Sequence, residues 1–386
     1  MVVNARNPVK FNIGFSEDIL SRVYTLLPVR ELISHYFTSD IMLTALLLIG
    51  VILGVLIILF TTISNILVIY AVLTYPPLKK SQNLLLISLA LADISCAVLV
   101  MPVNVYWNLV GDWPFNSAFC KFHLSSDSTL CTASVLNLVA IALDRYWAIF
   151  DPIKYTYRRT TKFIVLMALF AWILAIIIVV LPAIGFQFWF KWPADICDFP
   201  VGFILYLTTG QFIAPLIIMS IIYFMIYLAI KKKMRTRKNK CVNMVFVHSS
   251  NDGKSSGSQE TAIESTMEEI SLEVSENTRQ QTINNDVSIK YPQFIKEKQK
   301  ISIARERKAV KVLGIVVGVF VVCWLPFFVL DNIYYFWPQL EEQVPYIITN
   351  IIYWLGYVNS TCNPIIYTIF NRDFRKAFKK ILRIKR

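Results

Sequence analysis

Seven long apolar runs constrain this chain more than any other feature of its sequence. Each is about as long as the roughly 20 residues that a helix needs to cross a bilayer. Backbone groups in lipid must bond to one another, so only helices and closed barrels span membranes, and barrel strands are about half this length. The sequence therefore predicts an all-α membrane protein, a seven-transmembrane helix bundle, whose spans are numbered here in chain order: 42–72, 82–106, 118–144, 163–184, 202–230, 311–331 and 345–369.

Basic residues are unevenly distributed around these spans. The net charge is +13, which could indicate a nucleic-acid partner, but 56% of the residues are hydrophobic. Of the 38 Lys and Arg, 32 lie in 73–81, 145–162, 231–311 and 372–386, on one side of the predicted membrane. The positive-inside rule then places the N-terminus outside and the C-terminus in the cytoplasm. The basic loops are expected to contact anionic lipid, and no nucleic-acid partner is predicted.

The regions outside the spans differ in composition. Residues 1–41 are mixed and polar, without a predicted cleavable signal peptide, and are expected to be an extracellular N-terminal segment. Residues 42–369 form the predicted seven-span domain. Its long cytoplasmic loop, 231–310, is rich in Ser, Asn, Glu, Lys and Thr and is expected to be largely disordered. The basic ends of that loop, 231–240 and 301–311, are expected to extend the fifth and sixth helices.

The C-terminal segment 370–386 is predicted to contain a short amphipathic helix in the membrane interface. Its large apolar residues recur at helical spacing, and basic residues occupy the other face. The apolar set is Phe370, Phe374, Phe378, Ile381 and Leu382.

Two of the seven cysteines predict a disulfide. Cys120 and Cys197 both lie at the outer face, where the environment is oxidising. A Cys120–Cys197 bond would tie the second outer loop to the top of the third span.

Asp127 is a lone carboxylate inside the third span. A charge in the middle of a membrane helix costs about 2.5–3.5 kcal/mol on insertion scales, so such residues usually have a role. No basic residue elsewhere in the spans can pair with it, so a cation from outside is the simplest partner. Asp127 precedes Asp144 by 17 residues, or about 25 Å of helix, which places it in the outer third of the membrane.

Each span also carries a short motif. In chain order these are Asn65, the Leu-Ala-Leu-Ala-Asp run ending at Asp93, Asp144-Arg145-Tyr146, Trp172, Pro215 with Tyr223, Cys323-Trp324-Leu325-Pro326, and Asn363-Pro364-Ile365-Ile366-Tyr367. One motif per span, in this order, resembles the rhodopsin-like (class A) G-protein-coupled receptors. The resemblance implies a receptor in the plasma membrane that signals through a heterotrimeric G protein, with arrestin and a receptor kinase as further partners.

The resemblance also implies an activation switch. Arg145 would bond Asp144 and Glu306 in the inactive state and turn towards Tyr223 and Tyr367 on activation. Kinks at two prolines would act as hinges beside a packing switch, although a fixed bend is equally compatible with the sequence. These residues are Pro326, Pro364, Phe320 and Trp324.

A sodium site is implied around the second intramembrane carboxylate. Oxygen ligands around one carboxylate suit a hard cation, and a hydrogen-bonded water network is the alternative. The residues implied are Asp93, Ser134, Asn359, Ser360 and Asn363. Sodium is the only metal expected, and no cofactor is predicted.

The subfamily that the chain resembles is the biogenic-amine receptors, in particular serotonin, tyramine/octopamine and alpha-2 adrenergic receptors. The resemblance rests on Cys131-Thr-Ala-Ser, Asp144-Arg-Tyr-Trp-Ala-Ile, Cys323-Trp-Leu-Pro-Phe-Phe and Asp151-Pro-Ile-Lys-Tyr. It implies that an ammonium group pairs with Asp127, that Tyr357 hydrogen-bonds Asp127, and that aromatic faces add cation–π attraction. The implied ligand-binding residues are Asp127, Cys131, Thr208, Gln211, Phe212, Trp324, Phe327, Phe328, Trp354 and Tyr357.

The fifth span departs from the catecholamine pattern. Catecholamine receptors carry serines where this chain has Leu207 and Gln211. Serotonin, tyramine and octopamine are therefore favoured over dopamine and noradrenaline, with Thr208 or Gln211 bonding a phenol or an indole N–H. Asp331, at the outer end of the sixth span, is expected to be solvated.

Several other functions are disfavoured. An opsin needs a lysine in the seventh span, where Tyr357 stands instead. A transporter would show an inverted repeat, and an enzyme a motif such as Gly-x-Ser-x-Gly; neither is present. A class A receptor for a peptide or lipid is the nearer alternative. The short tail and longer third inner loop favour Gi/o coupling, with Gs and Gq left open.

Overall fold

The computed structural model describes residues 29–111, 113–189, 197–250, 312, 314–341 and 343–383. All regular elements in these ranges are helices, as the all-α prediction requires. The first, third, fourth, sixth and seventh spans are Val29–Thr74, Ser117–Phe150, Thr161–Trp189, Gly314–Phe336 and Tyr346–Phe370. The second and fifth spans each consist of three segments: Leu84–Ser95, Cys96–Val100 and Met101–Val110; and Val201–Leu207, Thr208–Ile213 and Ala214–Ser250.

Six of these helices are long and apolar enough to cross a membrane, within the residues that the structure describes. The seventh predicted span is a helix of 25 residues, Tyr346–Phe370, but it is more polar. Its polar side chains Asn359, Ser360 and Asn363 are buried, whereas Ile351 and Ile369 are exposed. The seventh helix therefore turns a polar face to the bundle, which lowers its hydropathy without removing an apolar outer face.

The first helix begins at Val29, earlier than the predicted start of the first span at residue 42. The continuously apolar part of its sequence begins near Ile41, after the polar residues Thr38, Ser39 and Asp40. Hydropathy marks the length that lies in lipid, whereas helical hydrogen bonding continues into polar sequence.

The middle segments of the second and fifth spans, Cys96–Val100 and Thr208–Ile213, are π-helical. A proline follows each: Pro102 after the first and Pro215 after the second. Proline has no N–H and its ring clashes with the carbonyl of the preceding turn, so a widened turn before it relieves the clash.

The third span is the most buried of the six apolar helices. Small residues let it approach its neighbours: Ala133 packs with Ala92 of the second span and Ala171 of the fourth. Small side chains at such interfaces allow close contact between helix backbones in lipid. Beside this contact, Trp172 Nε1 donates a hydrogen bond to Ser88 Oγ at 3.0 Å.

The predicted Cys120–Cys197 disulfide is confirmed, with the two Cα atoms 5.6 Å apart. It packs against Trp107, Leu124 and Phe203 in a buried cluster. The bundle end that carries it is called the disulfide end below, and the opposite end, which carries Asp144, is called the Asp144 end.

A ten-residue helix, Arg372–Ile381, follows the seventh span. The Asn371 side chain caps its start by accepting a hydrogen bond from the Asp373 N–H at 2.9 Å. Phe374 is fully buried against the first span and the turn at Leu78. Of the apolar set predicted for this helix, Phe370 belongs instead to the seventh span, and Leu382 is exposed.

A second compact unit comprises residues 224–311. Its described part is the helix that ends at Ser250, so the predicted extension over 231–240 is present and continues further than expected. The rest of the predicted disordered loop, the expected extension over 301–311 and Glu306 lie outside the described residues.

Gly54 of the first span lies close to two other helices. A Cβ at this position would meet Val105 Cγ2 at 2.9 Å and the Trp354 ring at 3.1 Å. Gly50, one turn earlier on the same helix, has nothing within 4 Å of an added Cβ. Both substitutions to Ala gain the same helix propensity, roughly 1 kcal/mol.

Gly54→Ala should therefore be less stable than Gly50→Ala by about 1–3 kcal/mol, the usual range for overpacking. Thermal unfolding of the two purified variants measures the difference. Equal midpoints would mean that the first span is not packed as closely as described.

Candidate ligand-binding site

A cavity of about 540 Å³, counted to its open mouth, lies between the third, fifth, sixth and seventh spans. Among the described residues its lining is Asp127, Ser128, Cys131, Asp198, Phe199, Ile204, Leu207, Gln211, Trp324, Phe327, Phe328, Asp331 and Tyr353.

Asp127 lines this cavity and is completely buried. Tyr357 of the seventh span donates its hydroxyl hydrogen to Asp127 Oδ2 at 2.8 Å, the bond that the sequence analysis expected. Cys131, one turn further along the third span, lies with its Sγ 3.4 Å from Asp127 Oδ1. The carboxylate is thus held by two helices and faces the cavity between them.

A hydrogen-bonded chain leads from Asp127 to the second span. Asn104 donates its side-chain N–H to the Tyr357 hydroxyl, and His123 Nε2 donates to Asn104 Oδ1 at 2.9 Å. Asn104 and His123 are buried. Because each group in the chain bonds the next, the orientation of Tyr357, and with it that of Asp127, is set by residues outside the cavity wall.

Aromatic rings form one wall of the cavity. Trp324, Phe327 and Phe328 of the sixth span contact one another, with ring centroids 4.9–6.0 Å apart. Phe327 also packs against Tyr353 of the seventh span at 5.2 Å. The face of an aromatic ring carries partial negative charge, so rings in such a wall can attract a cation.

Six of the predicted ligand-binding residues line the cavity: Asp127, Cys131, Gln211, Trp324, Phe327 and Phe328. The other four stand behind this wall and support it. Phe212 packs against Phe328 at 4.9 Å, and Trp354 against Tyr357 at 5.6 Å. The Thr208 hydroxyl donates to the Ile204 carbonyl and accepts from Asn332 Nδ2, both at 3.0 Å.

Asp331, which was expected to be solvated, lies in the wall of the cavity. Asp331 is partly buried and lines the cavity together with Asp198, the residue after the disulfide Cys197. The signal was present in the sequence, since Trp324, Phe327, Phe328 and Asp331 follow the i, i+3, i+4, i+7 spacing of one helix face. The roles of Tyr353, Asn104 and His123 also went unpredicted, because each depends on how neighbouring helices are rotated.

A second cavity, of about 280 Å³, lies deeper in the bundle and contains four of the five predicted sodium residues: Asp93, Ser134, Asn359 and Ser360. The fifth, Asn363, donates its side-chain N–H to Asp93 Oδ2 at 2.9 Å, while Ser134 donates to Oδ1 at 3.0 Å. Carboxylate, hydroxyl and amide oxygens are hard ligands, so the donor set fits a sodium ion.

At the Asp144 end, the fully buried carboxylate of Asp144 pairs with Arg145, with an N–O distance of 2.9 Å. Asp144 also accepts a hydrogen bond at 2.9 Å from the hydroxyl of Tyr155 in the short helix Pro152–Arg158. Burial and the neighbouring carboxylate raise the pKa of Tyr155 above its usual value, so the hydroxyl stays protonated and donates. Tyr155 is a partner of Asp144 that the motif alone did not reveal.

The other predicted switch residues are spread along the bundle. Phe320 is fully buried and packs against Phe212 at 5.7 Å, close to the cavity floor. Tyr367 packs against Phe374 of the short C-terminal helix at 5.7 Å. Pro326 and Pro364 lie within the sixth and seventh helices.

Comparison with known proteins identifies the architecture. The family described as 7 transmembrane receptor (rhodopsin family) matches residues 64–367. The chain belongs to this family. It is therefore a multi-pass membrane receptor and not a member of an enzyme family.

Relatives of this receptor are similar over nearly their whole length. An octopamine receptor of Heliothis virescens is 38% identical, and the match covers 86% of this chain and 87% of that one. Tyramine receptor 1 of Locusta migratoria is 36% identical, over 86% and 88% of the two chains. Human 5-hydroxytryptamine receptor 1B is also 36% identical, over 86% and 85%. The predicted resemblance to biogenic-amine receptors is confirmed.

The polar chain behind Asp127 generates a prediction about stability. Asn104→Ala removes the acceptor of the buried His123 N–H and the donor to the Tyr357 hydroxyl, which keeps its own bond to Asp127. We expect a loss of about 1–3 kcal/mol in unfolding free energy, visible as a lower unfolding temperature of the purified receptor.

Asn108→Ala is the matched control. Asn108 lies one turn further along the same helix and accepts one exposed hydrogen bond, at 3.3 Å from Tyr346. A variant at Asn108 as unstable as the variant at Asn104 would contradict the role given to the buried chain.

Proposed function

We propose that this receptor binds a biogenic monoamine whose ammonium group pairs with Asp127. The observation that carries the proposal is a fully buried carboxylate, held by Tyr357, that opens into a small aromatic-walled cavity. An ammonium ion at this site would neutralise the buried charge, and the rings of Trp324 and Phe327 would add cation–π attraction.

Tyramine, octopamine and serotonin are favoured as the ligand over catecholamines. Leu207, where catecholamine receptors carry a serine, lines the cavity with an apolar side chain. The Thr208 hydroxyl already bonds Ile204 and Asn332. Gln211 faces the cavity, and its amide N–H bonds the Ser128 carbonyl at 3.2 Å. The carbonyl oxygen of the Gln211 side chain therefore remains as an acceptor on the fifth span. It could accept a hydrogen bond from one phenol hydroxyl or one indole N–H. The names of the relatives, for octopamine, tyramine and 5-hydroxytryptamine, agree with this ligand class.

The disulfide end is proposed to face the cell exterior and the Asp144 end the cytoplasm. The lysines and arginines concentrate in the loops of the Asp144 end, in agreement with the positive-inside rule. A disulfide at the other end also fits the oxidising exterior. A ligand would then enter the cavity from outside, and the basic C-terminal helix would contact the inner lipid surface.

Signalling is proposed to pass through a heterotrimeric G protein of the Gi/o class, with arrestin and a receptor kinase as later partners. Asp144 pairs with Arg145, as the proposed resting state requires. Release of Arg145 towards Tyr223 and Tyr367 would open the cytoplasmic end, with the packing of Phe320 and Trp324 as the link to the ligand. Ligand and G protein would then raise each other's affinity.

A sodium ion is proposed to bind at Asp93 and to favour the inactive state. The oxygens of Asp93, Ser134, Asn359, Ser360 and Asn363 would be its ligands. A bound sodium ion would supply positive charge beside the buried carboxylate. Ser134 and Asn363 keep that carboxylate in place from two helices.

The amine proposal predicts the effect of removing one charge. Asp127→Asn keeps the size of the side chain but loses the ion pair, so amine potency should fall by roughly 100-fold or more, since breaking a buried pair costs about 3–5 kcal/mol. Serotonin, tyramine, octopamine, dopamine and histamine would be tested in cells for a fall in cyclic AMP, which distinguishes Gi/o from Gs, and for calcium release, which reports Gq.

Asp331→Asn is the control, because it removes a charge from the wall of the same cavity and should shift potency less than about tenfold. A neutral analogue of the active amine, with a hydroxyl in place of the ammonium, should fail on the wild type. Undiminished potency in surface-expressed Asp127→Asn would refute the proposed ion pair.

The sodium proposal is tested through agonist affinity. In membranes that express the wild type, replacing potassium chloride by sodium chloride at constant ionic strength should lower agonist affinity several-fold. Asp93→Asn should abolish this difference, because the carboxylate is the charged ligand. A sodium effect of unchanged size in Asp93→Asn would rule out this site.

A further inference from the structure

Two free thiols and one carboxylate meet between the two cavities. Asp127 and Cys131 lie one turn apart on the third span, and Cys96 begins the π-helical segment of the second span. One ligand atom from each of the three residues lies within 4.8 Å of the other two, and all three side chains are buried. Cys131 lines both cavities, Asp127 the outer one and Cys96 the deeper one.

The spacing of these atoms fits metal coordination. In a tetrahedral zinc site, with Zn–S of about 2.3 Å and Zn–O of about 2.0 Å, sulfur and oxygen ligands lie about 3.5 Å apart and two sulfurs about 3.8 Å apart. Cys131 Sγ and Asp127 Oδ1 are 3.4 Å apart. A metal ion would therefore need only small side-chain movements to bind all three residues.

We propose that Cys96, Asp127 and Cys131 bind a soft divalent cation such as Zn²⁺ inside the ligand cavity. Thiol ligands select soft metals over Mg²⁺ and Ca²⁺, which take oxygen ligands. On binding, the two thiols lose their protons to water and coordinate as thiolates, while the carboxylate coordinates as it is. Three protein ligands leave one tetrahedral position for a water molecule.

The metal and the amine compete for one carboxylate. When Asp127 coordinates a metal ion, it cannot also pair with an ammonium group, so metal binding would antagonise the ligand; this consequence rests on the proposed function. Coordination of the metal itself does not, since it depends on the thiols of Cys96 and Cys131.

The test is direct binding of Cd²⁺, a soft ion whose thiolate complexes absorb in the ultraviolet, to the purified full-length receptor. We expect one equivalent to bind with a cadmium–thiolate band. Cys96→Ala and Cys131→Ala should each weaken binding at least about tenfold. Cys323→Ala, which removes a buried thiol of the sixth span, should leave the band unchanged. Cys96→Ser, which nearly keeps the side-chain size, repeats the measurement if the alanine variant unfolds.

Three results would overturn the metal site: no band in the wild type, an equal loss in Cys323→Ala, or a Cys96–Cys131 disulfide found by peptide mass. In cells, added Zn²⁺ should shift the amine response to higher concentration in the wild type and not in Cys96→Ala. A receptor that binds Cd²⁺ but answers no amine would refute the proposed ligand and support the metal site. A receptor that answers amines through Asp127 without a cadmium band would refute the metal site alone.

Discussion

A carboxylate buried in an apolar helix bundle is stable only when its neighbours supply hydrogen bonds or a counter-charge, and this constraint organises the whole receptor. Three such carboxylates lie at successive depths along the bundle. The third span supplies two of them, Asp127 and Asp144, and a hydrogen-bond donor, Ser134, to the other. The pairs are Asp127 with Tyr357, Asp93 with Ser134 and Asn363, and Asp144 with Arg145 and Tyr155. The third span is accordingly the most buried apolar helix, and the others are positioned around its polar groups.

Features that depend on one segment alone could be predicted from the sequence. Apolar length indicated all seven helices, because the bilayer demands a similar length from each, although the seventh is more polar than the other six. Cys120 and Cys197 could be paired because both were predicted to lie at the outer face, where the environment is oxidising. Asp127 could be singled out because a charge in a span is costly wherever its neighbours lie. Each of these predictions depends on the chemistry of a residue or segment alone and not on how the helices pack.

Features that depend on two or more helices could not be predicted. The hydrogen-bonded chain of Asn104 and His123 requires the second, third and seventh spans to be rotated so that these side chains meet. Tyr155 reaches Asp144 only because a short helix folds back beneath the third span. Hydropathy and motif spacing contain no information about such rotations.

The widened turn at Cys96–Val100 affects how this receptor should be aligned with other chains. A π turn accommodates one residue more than an α turn, and each helical residue corresponds to about 100° of rotation. The side chains of the second span beyond this turn, including Asn104, are therefore rotated about the helix axis relative to their positions in a regular α-helix. In a relative with the same local sequence but a regular helix, a residue other than Asn104 would lie next to Tyr357. In this half of the second span, two residues that align in sequence can therefore face different neighbours in the two structures.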